Sequence, residues 1–296
     1  MVQLGFTRYG KAEVRVVRII RGAAPDGGDV IIDRNVSSAV SGDIGDAYYT
    51  GDNTNVLATD TQKNLVNVFA KRLGNVEPEE FATKLAQFLV TENEPLTRAR
   101  VAIDQYGWTR IGTHTHSFAR AGDYVRTTTV VHDQDAGTSV VSGLKDLIVL
   151  NTTNSEFWGF PRDAYTTLPE TKDRILATQV EAQWRFRPGA DLDWAGFDWG
   201  EAFETAKQVL LDTFAGTYSY ALQQTLYAIG TKIIETVPAI CEVRMALPNK
   251  HHFLVDLELF GETNDNEVFY AADRPYGLIE GIALADDAPD AGLAWT

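Results

Sequence analysis

Cysteine is nearly absent from the 296 residues, since Cys241 is the only one. A single thiol cannot form an intrachain disulfide, so the fold cannot depend on the disulfide framework that stabilises small secreted domains. Cys241 lies in an apolar, strand-like run, which favours a buried structural thiol over a catalytic one. Cysteine usage therefore points to a reducing compartment.

Long apolar segments and an excess of basic residues are also missing. No run approaches the ~20 apolar residues of a membrane span, and the N-terminal segment lacks the apolar core of a signal peptide. The final Ala294-Trp295-Thr296 differs from the Ser-Lys-Leu peroxisomal signal. We therefore expect a cytoplasmic protein without a membrane partner. The formal net charge of -15 argues against nucleic-acid binding, which needs a basic face.

Metal and nucleotide signatures are not evident. His114 and His116 would share a face if they lay in a strand, but no third ligand accompanies them, and a hydrogen-bonding role is the simpler interpretation. His251 and His252 are adjacent and would face opposite sides of a strand. The glycines are scattered and form no phosphate-binding loop. The residues therefore predict no metal site.

The sequence does contain two successive halves in which the predicted strands and helices follow the same order. In each half, strand-like runs come first, two amphipathic helices follow, and strand-like runs return. The predicted strands of the first half are 13–21, 30–40, 99–106 and 124–132. Leu65, Phe69 and Leu73 mark its first helix, and Pro78 suits the first turn of its second.

The second half follows the same order after a boundary near residues 138–143. Its predicted strands are 144–150, 175–186, 240–247, 253–259, 267–270 and 278–283. Its helices are predicted at 197–214 and 221–235, after a break at 187–191. The acidic stretch at 286–290 is expected to be a loose terminus.

This pattern predicts an α+β fold of two units, 1–140 and 141–296. Each unit would be an antiparallel sheet with two helices on one face. The two halves share little sequence identity, so the prediction depends on pattern alone. Sheets with exposed edge strands favour closure into a barrel between subunits, and we therefore expect an oligomer.

Six short runs occur in a fixed order: Y-G-K at 9–11, A-T-D-T-Q-K-N at 58–64, S-E-F-W-G-F at 155–160, D-R-I-L-A-T at 173–178, L-Q-Q-T-L-Y at 222–227 and L-P-N-K-H-H-F at 247–253. Together they resemble the urate oxidase (uricase) family, over about residues 9–278. The resemblance implies tandem tunnelling-fold (T-fold) units and a homotetramer with active sites at subunit interfaces. It also implies oxidation of urate by O2 and water to 5-hydroxyisourate and hydrogen peroxide, without metal or organic cofactor.

The same resemblance implies a set of substrate-binding residues: Asp60, Phe157, Arg174, Leu222, Gln223 and Asn249. Arg174 and Gln223 would clamp the anionic urate ring, because a guanidinium offers a planar fork and an amide offers both a donor and an acceptor. Phe157 would stack on the ring. Asp60 and Leu222 would contact substrate through their backbones, and Asn249 would hold oxygen or water.

Each of these side chains also has a plainer interpretation. Arg174 could form a surface ion pair with Asp173 or Glu170, Phe157 could pack in the core, and Gln223 could be an ordinary exposed helix residue. These alternatives stay open at the level of sequence.

Three residues are implied to be catalytic: Lys11, Thr59 and His251. Lys11 and Thr59 resemble the dyad that moves a proton, and His251 resembles the histidine that completes the relay. The plainer interpretations are a strand-edge lysine, a strand histidine, and a helix cap provided by Thr59, Asp60 or Thr61.

Two other functions compete with urate oxidation. One is a non-oxidative purine or pterin enzyme of the same fold, some of which use a metal that this sequence does not evidently provide. The other is a catalytically silent urate- or purine-binding protein, against which the presence of Lys11, Thr59 and His251 argues. In either case an anionic ligand requires a locally positive site in an acidic protein.

Overall fold

A computed structural model describes residues 2–189 and 194–296 of the chain. The chain divides into two compact units. The first contains Met1–Gly143, Trp184–Phe203 and Ala288–Thr296, and the second contains Leu144–Gln183 and Glu204–Asp287. Among the described residues, no helix combines the length and the apolar character needed to cross a membrane.

The chain forms groups of strands separated by helices. The strands are β1 (Tyr9–Ile20), β2 (Val30–Gly42), β3 (Leu96–Tyr106), β4 (Trp108–Arg110), β5 (Phe118–Arg120), β6 (Val125–Asp133), β7 (Gly137–Asn151), β8 (Leu176–Phe186), β9 (Ile240–Leu254) and β10 (Phe269–Leu284). The helices are α1 (Gly45–Tyr49), α2 (Thr59–Leu73), α3 (Pro78–Thr91), α4 (Trp199–Gly216) and α5 (Leu222–Thr236), with short 3-10 turns at Trp194–Gly196 and Glu258–Phe260.

The strand order in the first unit is β1-β2-β3-β6, with β7 next to β6, and in the second unit it is β7-β8-β9-β10. The pairs β1/β2, β2/β3, β3/β6 and β9/β10 are antiparallel. Strands β4 and β5 form a separate two-stranded ribbon. The predicted α+β class with an antiparallel sheet is therefore confirmed.

Helices α2 and α3 cover the sheet of the first unit. Alternate residues of β2 and β3, such as Val36 and Val101, are buried, because successive side chains of a strand face opposite sides. Helix α2 contributes Phe69, whose ring lies edge-on to that of Phe81 from α3 with the centroids 6.5 Å apart. Removal of this apolar surface from water is the main stabilisation of the unit.

A charged network holds the start of α3 against the sheet. Glu79 is fully buried, and its carboxylate accepts hydrogen bonds from Arg126 at 2.8 Å and from Thr128 at 3.1 Å. Arg126 lies on β6 and also donates to Glu77 at 2.7 Å. A buried carboxylate is tolerated only when it is paired and hydrogen-bonded, so this network is a fixed feature of the unit.

We predict that Arg126→Met lowers the free energy of unfolding by about 3–5 kcal/mol, because it leaves the buried Glu79 carboxylate without its counter-charge. The control is Lys84→Met, which breaks an exposed pair with Glu80 on the same helix and is expected to cost less than about 1 kcal/mol. Denaturant unfolding at equal protein concentration measures both. Equal losses in the two variants would contradict this role of the network.

In the second unit, α5 packs against β9 and β10. The close approach requires a glycine, since a Cβ added at Gly230 would lie 2.6 Å from the Cβ of Ala283. Leu226, Ile229 and Ile233 fill the contact and are all buried. The middle of α5 is therefore packed closely against the sheet.

Three sequence predictions are wrong in the region of β9 and β10. The runs 240–247 and 253–259 are not separate strands, because pairing with β10 continues across Pro248 to Leu254. Beyond Leu254 the apolar residues are not in a strand: Leu259 and Phe260, in the 3-10 turn, are 81% and 77% exposed. Likewise, 267–270 and 278–283 belong to the single strand β10, with an irregularity in the pairing between Ala272 and Gly277.

The shared strand face considered for His114 and His116 does not occur, because both lie between β4 and β5, outside any strand. One further prediction fails for reasons of tertiary structure. The C-terminal stretch is not loose, because Arg185 donates to the carbonyl of Pro289 at 2.9 Å and Arg100 donates to Thr296 at 2.9 Å. Of the predicted break at 187–191, residues 190 and 191 lie outside the described residues.

Candidate active site

A cavity of about 390 Å³ lies in the second unit. Four of the predicted site residues line it: Phe157, Arg174, Asn249 and His251. Asn249 and His251 alternate on β9, so the strand presents both to one side. Other lining residues were not predicted from the sequence, among them Leu168, Thr171, His252, Leu254 and Phe269. Polar and apolar side chains therefore both line this cavity.

Arg174 and Phe157 form the cationic and aromatic part of this cavity. The guanidinium carbon of Arg174 lies 5.1 Å from the centroid of the Phe157 ring, and the Phe157 ring is stacked on Phe160 at 5.0 Å. Phe157 is fixed by paired backbone hydrogen bonds with Thr171, of 2.8 and 3.0 Å. Within the described residues Arg174 forms no ion pair with Asp173 or Glu170, so the ion-pair interpretation is wrong.

His251 is half-buried beside these groups, and its ring is stacked near that of Phe253 with centroids 5.8 Å apart. Burial lowers the pKa of His251 below its ordinary value, and the positive charge of Arg174 and the neighbouring His252 lower the pKa further. Neutral imidazole is therefore the favoured form at neutral pH, and it offers one nitrogen as a hydrogen-bond acceptor.

Leu222 and Gln223 are the first two residues of α5, as the sequence predicted for a helix start. Leu222 is buried and Gln223 is exposed, and neither is among the residues that line the cavity. The N-cap, Ala221, provides no side-chain hydrogen bond. The first backbone N–H groups of α5 are therefore left without a side-chain acceptor and favour an anion.

The other three predicted residues, Lys11, Thr59 and Asp60, lie in the first unit. Lys11 pairs with Ser38 across β1 and β2, just before a bulge. The hydroxyl of Ser38 donates to Gln62 of α2 at 2.9 Å in the buried interior, which ties the start of α2 to the strand that pairs with β1. A Cβ at Gly10 would lie 1.8 Å from the carbonyl oxygen of Ser38, so only glycine fits beside Lys11.

The predicted capping of α2 by Thr59, Asp60 or Thr61 is wrong. The N-cap is Ala58, which cannot provide a side-chain acceptor, and α2 begins at Thr59. The Asp60 carboxylate instead binds Lys63, and this hydrogen bond lowers the pKa of Asp60, with a smaller contribution from the charge of Lys11. Thr59 therefore presents its hydroxyl and its backbone N–H at an uncapped helix start.

No group of three or more His, Cys, Asp or Glu side chains suited to a metal ion occurs in residues 2–189 and 194–296. The polar side chains that line the cavity include the guanidinium of Arg174, the imidazoles of His251 and His252, the carboxylate of Asp173, and amide and hydroxyl groups.

Comparison with known proteins identifies the family. The uricase family profile matches residues 7–131 and 140–280. The chain belongs to the uricase family. A curated uricase from Arthrobacter globiformis is 49% identical over 279 residues, which cover 94% of this chain and 89% of that protein. A Dictyostelium discoideum uricase is 37% identical over 287 residues, which cover 95% and 97% of the two chains.

Solved structures agree with this assignment. The crystal structure of uricase from Arthrobacter globiformis superposes with a TM-score of 0.93 at 46% identity, covering 100% of this chain and 99% of that one. The observed α+β architecture is therefore that of a uricase.

We predict that His251 of this uricase-family protein titrates with a midpoint below 6.5, as followed by NMR of histidine-labelled protein with His251→Gln identifying the signal. Arg174→Gln should raise the midpoint, because a neighbouring positive charge disfavours protonation. The control Lys172→Gln removes a cation that is close to Arg174 in the chain but whose amine lies over the Trp158 ring, 5.8 Å from its centroid. A midpoint at or above 6.5 in the unmodified protein would contradict the described surroundings of His251.

Proposed function

We propose that this protein is a urate oxidase, which converts urate, O2 and water to 5-hydroxyisourate and hydrogen peroxide. The observation that carries the proposal is the cavity in which Arg174, Phe157, Asn249 and His251 converge. It combines a cation for an anionic ring, an aromatic face for stacking, and amide and imidazole groups for polar atoms. Membership of the uricase family supports the same activity.

In this proposal urate binds as an anion. The guanidinium of Arg174 and the amide of Gln223 clamp opposite parts of the ring, and Phe157 stacks on its face. The uncapped first turn of α5 adds the backbone N–H of Leu222. These groups make the site locally positive in a chain of net charge -15.

Proton removal is assigned to Thr59, Lys11 and His251. The Thr59 hydroxyl and the Lys11 amine form the first part of the relay, and the neutral His251 imidazole accepts or returns a proton. The backbone N–H of Asp60 contacts the substrate. A second deprotonation gives a urate dianion, which is a stronger reductant than the monoanion.

The dianion then passes two electrons to O2 held near Asn249. Two protons complete hydrogen peroxide, and water adds to the oxidised ring to give 5-hydroxyisourate. The substrate is itself the reductant, so the proposed reaction needs neither a metal nor an organic cofactor. The protein contributes positioning and proton transfer.

We also propose a homotetramer of tandem T-fold units, 1–140 and 141–296, with a cytoplasmic location and with active sites at subunit interfaces. Lys11, Thr59 and Asp60 of one subunit would meet Phe157, Arg174 and Gln223 of a neighbour. Two observations support assembly: β1 and β10 are outermost in the strand order, and both carry exposed apolar side chains, namely Val17, Ile19, Ile282 and Leu284. Sheet edges of this kind are covered by pairing with another chain.

The test is to mix metal-stripped protein with urate in air-saturated buffer and follow urate absorbance and peroxide together. We expect equimolar loss of urate and formation of peroxide. Lys11→Met should still bind urate but lose most turnover, because the relay is broken. The control Lys232→Met removes an exposed lysine that pairs with Glu235 on α5, and it should retain normal turnover.

The outcomes separate the competing functions. Binding of urate without oxidation would favour a silent urate-binding protein, and no binding would favour a non-oxidative purine or pterin enzyme. Normal turnover in Lys11→Met would contradict the role assigned to Lys11.

A further inference from the structure

Ser155 is a hydrogen-bond partner of Arg174 that does not itself line the cavity. The Nε–H of Arg174 donates to Oγ of Ser155 over 3.1 Å. Ser155 is fully buried and is not among the residues that line the cavity. Its hydroxyl therefore contacts the arginine without reaching a ligand in the cavity.

A second buried serine, Ser219, connects Ser155 to the first turn of α5. Ser155 and Ser219 form a parallel bridge in which the N–H of Glu156 donates to the Ser219 carbonyl at 2.8 Å, and the N–H of Ser219 donates to Asn154 at 2.9 Å. The Oγ of Ser219 accepts a hydrogen bond of 2.8 Å from Thr225, in the first turn of α5. Like Ser155, both Ser219 and Thr225 are fully buried.

The hydrogen bond to Ser155 restricts how Arg174 can recognise an anion. A guanidinium can present either its Nε/Nη edge or its Nη1/Nη2 edge to a planar group. Because Ser155 occupies Nε, a ligand on the Nε/Nη edge would have to compete with a buried hydroxyl. The Nη1/Nη2 edge is left for the ligand.

We propose that Ser155 is a positioning residue for substrate binding, which orients Arg174 so that its Nη1 and Nη2 groups face urate, with Ser219 and Thr225 fixing Ser155 relative to the start of α5. The assignment of urate as the ligand rests on the proposed function. The role of Ser155 is distinct from that of the groups that touch substrate, since it acts through Arg174.

Steady-state kinetics of Ser155→Ala test this role. Without the buried acceptor, the long arginine side chain must be ordered when urate binds, so KM should rise about tenfold while kcat changes little. Thr225→Val keeps the shape of the side chain and removes the hydroxyl that donates to Ser219, so it should raise KM by a smaller factor. The control Ser142→Ala removes a buried hydroxyl from the network around Glu79 in the first unit, and it should leave KM unchanged.

A double-mutant cycle distinguishes positioning from a general structural role. If Ser155 acts only through Arg174, adding Ser155→Ala to Arg174→Ala should leave KM at the value of the single Arg174→Ala variant. Full additivity of the two losses, or an unchanged KM in Ser155→Ala alone, would overturn the proposal.

Hydrogen exchange gives a readout that does not require activity. The Nε–H of Arg174 should be protected in the unmodified protein and should exchange faster in Ser155→Ala, or in the isosteric Ser155→Cys if the alanine variant does not fold. An unprotected Nε–H in the unmodified protein would overturn the proposal. If the Nε–H is protected but the protein neither binds nor oxidises urate, the hydrogen bond from Arg174 to Ser155 is supported and the proposed function is contradicted.

Discussion

Arg174 keeps its positive charge without a carboxylate partner in the described part of the chain, and the proposed chemistry depends on this. The chain carries 41 acidic residues against 26 lysines and arginines, so its composition alone would favour a carboxylate partner for Arg174. Instead a neutral hydroxyl holds the Nε–H, and an aromatic ring lies against the guanidinium. Burial partly desolvates the charged form of Arg174 and so lowers its pKa. An anionic ring would compensate that charge on binding.

The two helices that carry proposed substrate contacts likewise lack a stabilising partner, in this case a side-chain N-cap. Helices α2 and α5 both follow an alanine N-cap, Ala58 and Ala221, that provides no side-chain acceptor. A serine, threonine or aspartate at either position would satisfy the first N–H groups and stabilise the helix by about 1 kcal/mol. Without such a cap, N–H groups at these helix starts remain available to a ligand, and α1 and α3, which carry no proposed substrate contact, lack a side-chain cap as well.

Much of the fold follows from the sequence because its signals are local. The helical spacing of Leu65 and Phe69 and the alternation in β2 and β3 depend only on nearby residues, and the α+β class follows from their order. The grouping of Phe157, Arg174, Asn249 and His251 could be anticipated only through resemblance to a family, since the residues are distant in the chain.

The errors have non-local causes. The continuity of β9 through Pro248 depends on pairing with β10, and the ordered C-terminal stretch depends on bonds from Arg100 and Arg185 to backbone carbonyls, which carry no sequence signature. The short helix α1 and the β4–β5 ribbon were not predicted, because such short elements have too few residues to show a period. The contact of Ser155 with Ser219 likewise joins segments that no local pattern relates.

We propose that each active site combines Lys11 and Thr59 of one chain with Phe157 and Arg174 of another. It is tested most directly by mixing two inactive variants, Lys11→Met and Arg174→Ala, and verifying that mixed oligomers form. In randomly mixed symmetric oligomers, about a quarter of the sites would receive both intact halves, so urate oxidation should return to about that fraction of normal. No recovery of activity in verified mixed oligomers would contradict a site shared between chains.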